Sequence, residues 1–171
     1  MTRYVALLRG IGPVTHAKMR LSALAETLGG DAVSIGNTGN IVFTSEASAT
    51  ATAQLVADSI RRFGLEVEVF IRTRRQLQML VNESPFPQAQ ANHPAALGVC
   101  FFHKTPTWPA AYRSYAGPER LSMFSNHLIV DYDGQITGSR LSIEKTVGAR
   151  MTQRNWSSVL RIARALDIAT G

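Results

Sequence analysis

Ala32-Val-Ser-Ile-Gly-Asn-Thr-Gly-Asn-Ile-Val-Phe43 reads as a β-hairpin. Residues 32–35 and 40–43 supply two apolar strands. Gly36, Asn37, Thr38 and Gly39 between them are residues that accept the positive φ angles of a tight turn. Working outward, residues 18–28 carry Leu21, Leu24, Ala25 and Leu28, the i, i+3, i+4, i+7 face of a helix stopped at Gly29-Gly30. Residues 3–9 before it form a short apolar run ended by Gly10, as a buried strand would. On the far side of the hairpin, Ser48 caps a second helix burying Leu55, Val56, Ile60 and Phe63 and stopping at Gly64. Residues 66–71 then alternate charged and apolar, which is the period of a strand. The order β-α-β-β-α-β over residues 3–72 predicts a ferredoxin-like unit, an antiparallel four-stranded sheet with two helices on one face.

The rest of the chain predicts a second, less regular copy. Thr73 and Gln76 make a capping box for a short helix carrying Leu77, Leu80 and Val81. Residues 84–94, with three prolines, read as a linker or surface loop. Residues 97–103 read as a buried strand. Thr107 caps a helix over 108–115, and residues 120–124 and 127–132 form a hairpin around Ser125-Asn126. A helix over 141–147 ends at Gly148, and a last helix runs from about 152 to 166 with the final strand missing or hidden. The expected fold is therefore α+β: two tandem ferredoxin-like units with antiparallel sheets, residues 1–75 and 97–171, joined by 76–96.

Composition narrows the function classes. A hydrophobic fraction of 45% over 171 residues suits a folded protein. No apolar run approaches the ~20 residues of a membrane span, and the apolar run at 4–8 is too short for a signal peptide, so the expectation is a cytoplasmic protein. One cysteine excludes an internal disulfide framework. The net charge of +6 favours an anionic small molecule or nucleic acid as partner. No cofactor is implied: Arg9-Gly-Ile-Gly-Pro13 lacks the third glycine of a dinucleotide fingerprint and any Walker lysine. His16, His93, His103 and His127 have no metal-ligand spacing, and Asp131 with Asp133 is two ligands, short of a metal site. Cys100 falls inside a strand and reads as an inert buried thiol. Trp108, Tyr112, Arg113 and Tyr115 interleave aromatic and basic groups, with core packing the expected role of Trp108.

Met151-Thr-Gln-Arg-Asn-Trp156 is the densest cluster of recognition groups. On a helical wheel Trp156, Val159, Leu160, Ala163 and Leu166 share a core face, and Arg150, Arg154, Arg161 and Arg164 form a basic stripe. With Thr152 as N-cap, Arg154 would offer a bidentate fork to an anion, Asn155 a further polar group, and the amides of 153–155 more donors.

Several of these elements together resemble a known bacterial family, domain of unknown function 1697. They are Tyr4-Val-Ala-Leu-Leu-Arg-Gly-Ile11, Lys18-Met19, Thr38-Gly-Asn-Ile-Val-Phe43, Ile71-Arg-Thr73, Ser84-Pro-Phe86, the helix over 139–148 and Thr152-Gln-Arg-Asn-Trp156. The resemblance implies two tandem ferredoxin-like units and no established activity. It also implies a shared surface of Arg9, Gly10, Gly39, Asn40, Thr152, Arg154, Asn155 and Trp156. The chain departs from the family pattern in three places. Gly12-Pro-Val-Thr15 stands where Asn-Val-Gly-Gly is usual, Asn37-Thr38 replaces Gln-Ser, and Ser157-Ser158 replaces Asn-Thr. The expected function is a binding module for a small anionic ligand or nucleic acid. The alternatives are an enzyme on an anionic, phosphorylated or nucleotide-like substrate, and an interaction or structural protein. No residue set makes a complete catalytic constellation.

Overall fold

The computed structural model describes residues 1–170, at Ala111 by its backbone alone. Two units divide the chain: Met1–Met79 with Arg161–Gly171, and Leu80–Leu160.

In the first unit the apolar run becomes β1 (Thr2–Leu8), which pairs antiparallel with β3 (Asn40–Ser45) on one side and β4 (Val69–Thr73) on the other. β2 (Val33–Ser34) completes the order β2-β3-β1-β4. Alternation sends Tyr4, Ala6 and Leu8 to one face, where they pack with Ile41, Phe43 and Val69. That face is covered by α2 (Leu21–Leu28) through Leu24 and Ala25, and by α3 (Ala49–Arg61) through Val56 and Ile60. Val5, Leu7, Val42 and Phe70 on the opposite face are also fully buried. Burial on both faces explains why β1 is apolar from Tyr4 to Leu8 and not alternating there; each such large side chain contributes roughly 1.5–3 kcal/mol.

The helix expected over 18–28 is two helices. α1 (Pro13–Lys18) starts with a proline, and the Thr15 hydroxyl donates to the Gly12 carbonyl while accepting from the Gly12 amide, at 2.8 Å each. Met19 and Arg20 are then extended, which lets Met19 be buried in the core before α2 begins. Ser48 caps α3 as expected, its hydroxyl accepting from the Ala51 amide at 3.3 Å. Thr73 and Gln76 form the expected capping box at the start of α4 (Arg74–Glu83).

The Pro-rich stretch is more ordered than a linker. It forms α5 (Pro87–Asn92), with proline in its first turn, and one turn of 3-10 helix at Pro94–Ala96. β5 (Leu97–Phe102) is the centre of the second sheet, flanked by β7 (His127–Asp131) and β8 (Met151–Asn155), with β6 (Arg120–Phe124) outside β7. The order is β6-β7-β5-β8. One face carries Cys100, Phe102, Leu128 and Val130, which pack with Tyr112 of α6 (Ala110–Arg113) and Ile143 of α7 (Ile143–Val147). Trp108 joins this core edge-on to Phe102, 5.6 Å between centroids. It lies outside α6, which starts after Pro109 and not after Thr107. Gly148, at φ +69°, closes α7 as expected.

The hidden last strand is β8. Residues 152–155, expected to open the last helix, instead pair with β5 together with Met151. α8 (Trp156–Ala165) starts one residue later, and its cap is Asn155, whose Oδ1 accepts from the Ser158 amide at 2.8 Å. Thr152 is therefore a strand residue opposite Phe101, and the amides of 153–155 are not free helix-end donors.

Candidate functional site

The first strand ends in a crowded corner of the N-terminal unit. The Arg9 amide donates to the Glu68 carbonyl at 3.0 Å, so pairing with the chain before β4 continues one residue past β1. Gly10 follows at φ +72°, where only glycine is unstrained. Beside it the Leu8 amide donates to the Gly39 carbonyl at 2.7 Å. Gly39 has φ +83°, and a Cβ there would lie 2.6 Å from Ile11 Cγ1 and 2.9 Å from Leu8 Cβ. Glycine is thus required twice over, by conformation and by contact. Asn40 is buried and donates from Nδ2 to the Ile35 carbonyl at 3.1 Å and the Thr38 hydroxyl at 3.0 Å, which locks the turn from inside.

Two cationic or titratable side chains reach the same turn from helices. His16 of α1 meets the Asn37 carbonyl through Nε2 at 2.8 Å. The exposed Arg161 of α8 lies against Gly36, its guanidinium nitrogens 3.7 Å from where a Cβ would be. Arg9, Gly10, Gly39 and Asn40 are thus brought together, and His16 and Arg161 join them. Arg161 was legible as part of the basic stripe; His16 carried no sequence signal beyond its residue type.

The other four expected site residues lie in the second unit and have structural surroundings. Arg154 is buried, and its Nη1 donates to the Thr152 hydroxyl and the Gln153 carbonyl, both at 2.8 Å. Burial lowers its pKa to about 10, so it stays charged at neutral pH. Asn155 is a helix cap and Trp156 a core residue. The wheel that grouped Arg154 with Arg161 and Arg164 does not apply, because Arg154 stands on a strand. Arg72 of β4 is the counterpart in the first unit. It is buried, donates from Nη1 to the Ile71 carbonyl at 2.8 Å, and is likewise lowered by burial to about 10.

Cys100 is fully buried, with its thiol pushed well up by desolvation, which makes it unreactive. Asp131 is engaged by Arg120 and by the Asp133 amide. Among the described residues, no group of three or more His, Cys, Asp or Glu could hold a metal ion. No described helix is long and apolar enough to cross a membrane.

These features define an α+β protein with two four-stranded antiparallel sheets and a glycine-rich corner beside the guanidinium of Arg161. The chain belongs to the protein family of unknown function DUF1697, whose model matches residues 1–124. No curated protein matches it in sequence. Among solved structures it is similar to the conserved bacterial protein SP0830 from Streptococcus pneumoniae. The match has a TM-score of 0.68 and 21% identity over 98% of this chain and 99% of that one. That likeness concerns the fold.

Proposed function

We propose that this protein is a binding module for a small anionic ligand or nucleic acid, with its contact surface on the loop side of the N-terminal unit. The observation that carries this reading is the exposed guanidinium of Arg161 set against Gly36, beside the corner made by Arg9, Gly10 and Gly39. Planar guanidinium groups beside accessible glycine backbone suit phosphate or carboxylate oxygens. Charge supports the same unit: its residues carry eleven Lys and Arg against seven Asp and Glu, compared with seven against five in residues 80–160. In this reading Thr152, Arg154, Asn155 and Trp156 hold β8 and α8 in place and touch no ligand. The strand orders β2-β3-β1-β4 and β6-β7-β5-β8, each with helices between strands, support a further reading of both units as ferredoxin-like.

The test is fluorescence anisotropy with a labelled single-stranded oligonucleotide, and calorimetry with ATP and pyrophosphate, at two salt concentrations. Binding to at least one probe, weakened by salt, is expected. Arg161→Ala should weaken it roughly tenfold with unchanged melting temperature, as for loss of one charged hydrogen-bond donor. Absence of binding at low salt, or equal binding by Arg161→Ala, overturns the reading.

A further inference from the structure

A cavity of about 540 Å³ lies within the second unit, walled by Tyr115, Glu119, Tyr132, Thr137, Ser139 and Arg140. That volume is in the range of small-molecule sites. Its chemistry centres on Glu119, which is only 7% exposed. The Tyr115 hydroxyl donates to Oε2 at 2.5 Å, and the Ser139 hydroxyl donates to Oε1. Hydrogen bonds from Ser139 first and Tyr115 second hold the carboxyl below its ordinary range, so it is ionised at neutral pH.

Both of these partners are neutral hydroxyls. A carboxylate offers about four lone-pair positions, and a buried negative charge is normally matched by a positive one. Among the described residues no Lys or Arg makes an ion pair with Glu119. Tyr115 and Tyr132 line the same space, and aromatic faces favour a cation. Arg140 is exposed, follows Ser139 directly and lines the same cavity. The local sequence is adapted to this arrangement at Gly117. A Cβ there would fall 2.0 Å from the Tyr115 hydroxyl oxygen, so only glycine lets the phenol fold back onto Glu119.

We propose that this cavity binds a small zwitterion, its ammonium seated against Glu119 between the two tyrosines and its carboxylate or phosphate on Arg140. The site is independent of the Arg9–Arg161 corner and of opposite polarity at its core.

The experiment is saturation-transfer NMR on the full chain at millimolar ligand. The probes are the common amino acids, phosphoethanolamine, the amines phenethylamine and cadaverine, and the acid phenylacetate. Amino acids or phosphoethanolamine should give transfer, which of the two responds distinguishing carboxylate from phosphate. The amines should bind more weakly and phenylacetate should be silent. Glu119→Gln should weaken binding by roughly ten- to a hundredfold, the effect of losing a charged hydrogen bond. Exposed Arg140→Ala should reduce the zwitterion to the affinity of the amine, and Gly117→Ala should weaken every ligand by displacing Tyr115; both remain informative if Glu119→Gln does not fold. Silence from every amine and zwitterion, phenylacetate binding as well as the amino acids, or unchanged binding in folded Glu119→Gln overturns the proposal.

Discussion

β4 and β8 occupy the same place in their sheets, and they read very differently in sequence. Each is the last strand of its unit and pairs antiparallel with the central strand. Each sets a buried arginine opposite a valine, Arg72 across from Val5 and Arg154 across from Val99. Each arginine donates to the carbonyl of the residue before it, at 2.8 Å. β4 is Val-Phe-Ile-Arg-Thr, and the alternation of charged and apolar residues over 66–71 marked it as a strand, though it begins only at Val69. β8 is Met-Thr-Gln-Arg-Asn, polar on both faces. Its polar groups are satisfied sideways: the Gln153 Oε1 accepts from the Tyr132 hydroxyl at 3.0 Å, and Thr152 accepts from Arg154. A strand can be buried without an apolar signature when its side chains are hydrogen-bonded within the sheet.

The sharpest way to break the equivalence is to remove the arginines. Arg72→Ala and Arg154→Ala should each cost about 3–5 kcal/mol in urea unfolding, from the space left by a long buried side chain plus the acceptors it leaves unsatisfied. Lysine should not rescue either, since it lacks the planar fork. A cost under ~1 kcal/mol for one and not the other, against the ~1–3 kcal/mol of a single orphaned buried acceptor, would show that only one arginine is structural.

A smaller effect separates two glycines. Gly39→Ala in the first unit adds a Cβ at φ +83° against Ile11 and Leu8, and should cost about 2–4 kcal/mol from left-handed strain plus overpacking. Gly98→Ala in the second meets Gln153 Nε2 at 2.8 Å and Tyr132 Cε2 at 2.9 Å, with no positive φ. It should cost less, roughly 1–3 kcal/mol, and should loosen the Tyr132–Gln153 bond that supports β8. Thermal unfolding of both variants checks the order; a reversed order would place the main constraint in the second unit.

The smallest effect is a pH dependence confined to the second unit. The Glu119 carboxyl is lowered from its ordinary 4.5, so its contribution is complete above that value and is lost as pH falls through the depressed folded value. Tyr115 is raised from 10 to about 12, chiefly by its bond to Glu119, so its contribution holds below 10 and is lost as pH rises through about 12. Absorbance titration should show a tyrosine ionising near 12 in the folded protein, and Ser139→Ala should lower stability at neutral pH and shrink the further loss on acidification. A Tyr115 that titrates near 10 would dissolve the Tyr115–Glu119 link.

How much was legible varied with the local physics. The hairpin around Gly36–Gly39 was readable because its turn needs glycine at positive φ, at both Gly36 and Gly39. Ser48, the Thr73–Gln76 box and Gly148 were readable because caps have short-range partners. The break at Met19 was not, because it depends on burying one side chain that the helical pattern alone would have left in register. α5 was hidden by the prolines around it, although one of them, Pro87, opens the helix. Of the candidate site, Arg9, Gly10, Gly39 and Asn40 were readable as a loop and a turn, and the register brings them together. Glu119 was missed because its surroundings come from residues 20 apart, at Ser139.

Sequence alone determined the antiparallel α+β layout of the first unit, its glycine turn, the inert Cys100 and the basic charge, all of which follow from short-range conformation and composition. Tertiary structure decided the rest. Only pairing with β5 makes 151–155 a strand, since an isolated Thr-Gln-Arg-Asn has no preference strong enough to resist either outcome. Only packing turns Arg154 inward and leaves Arg161, seven residues on, exposed at the glycine corner. The energies that settle those choices reside in burial and hydrogen bonds between distant residues, which no local pattern encodes.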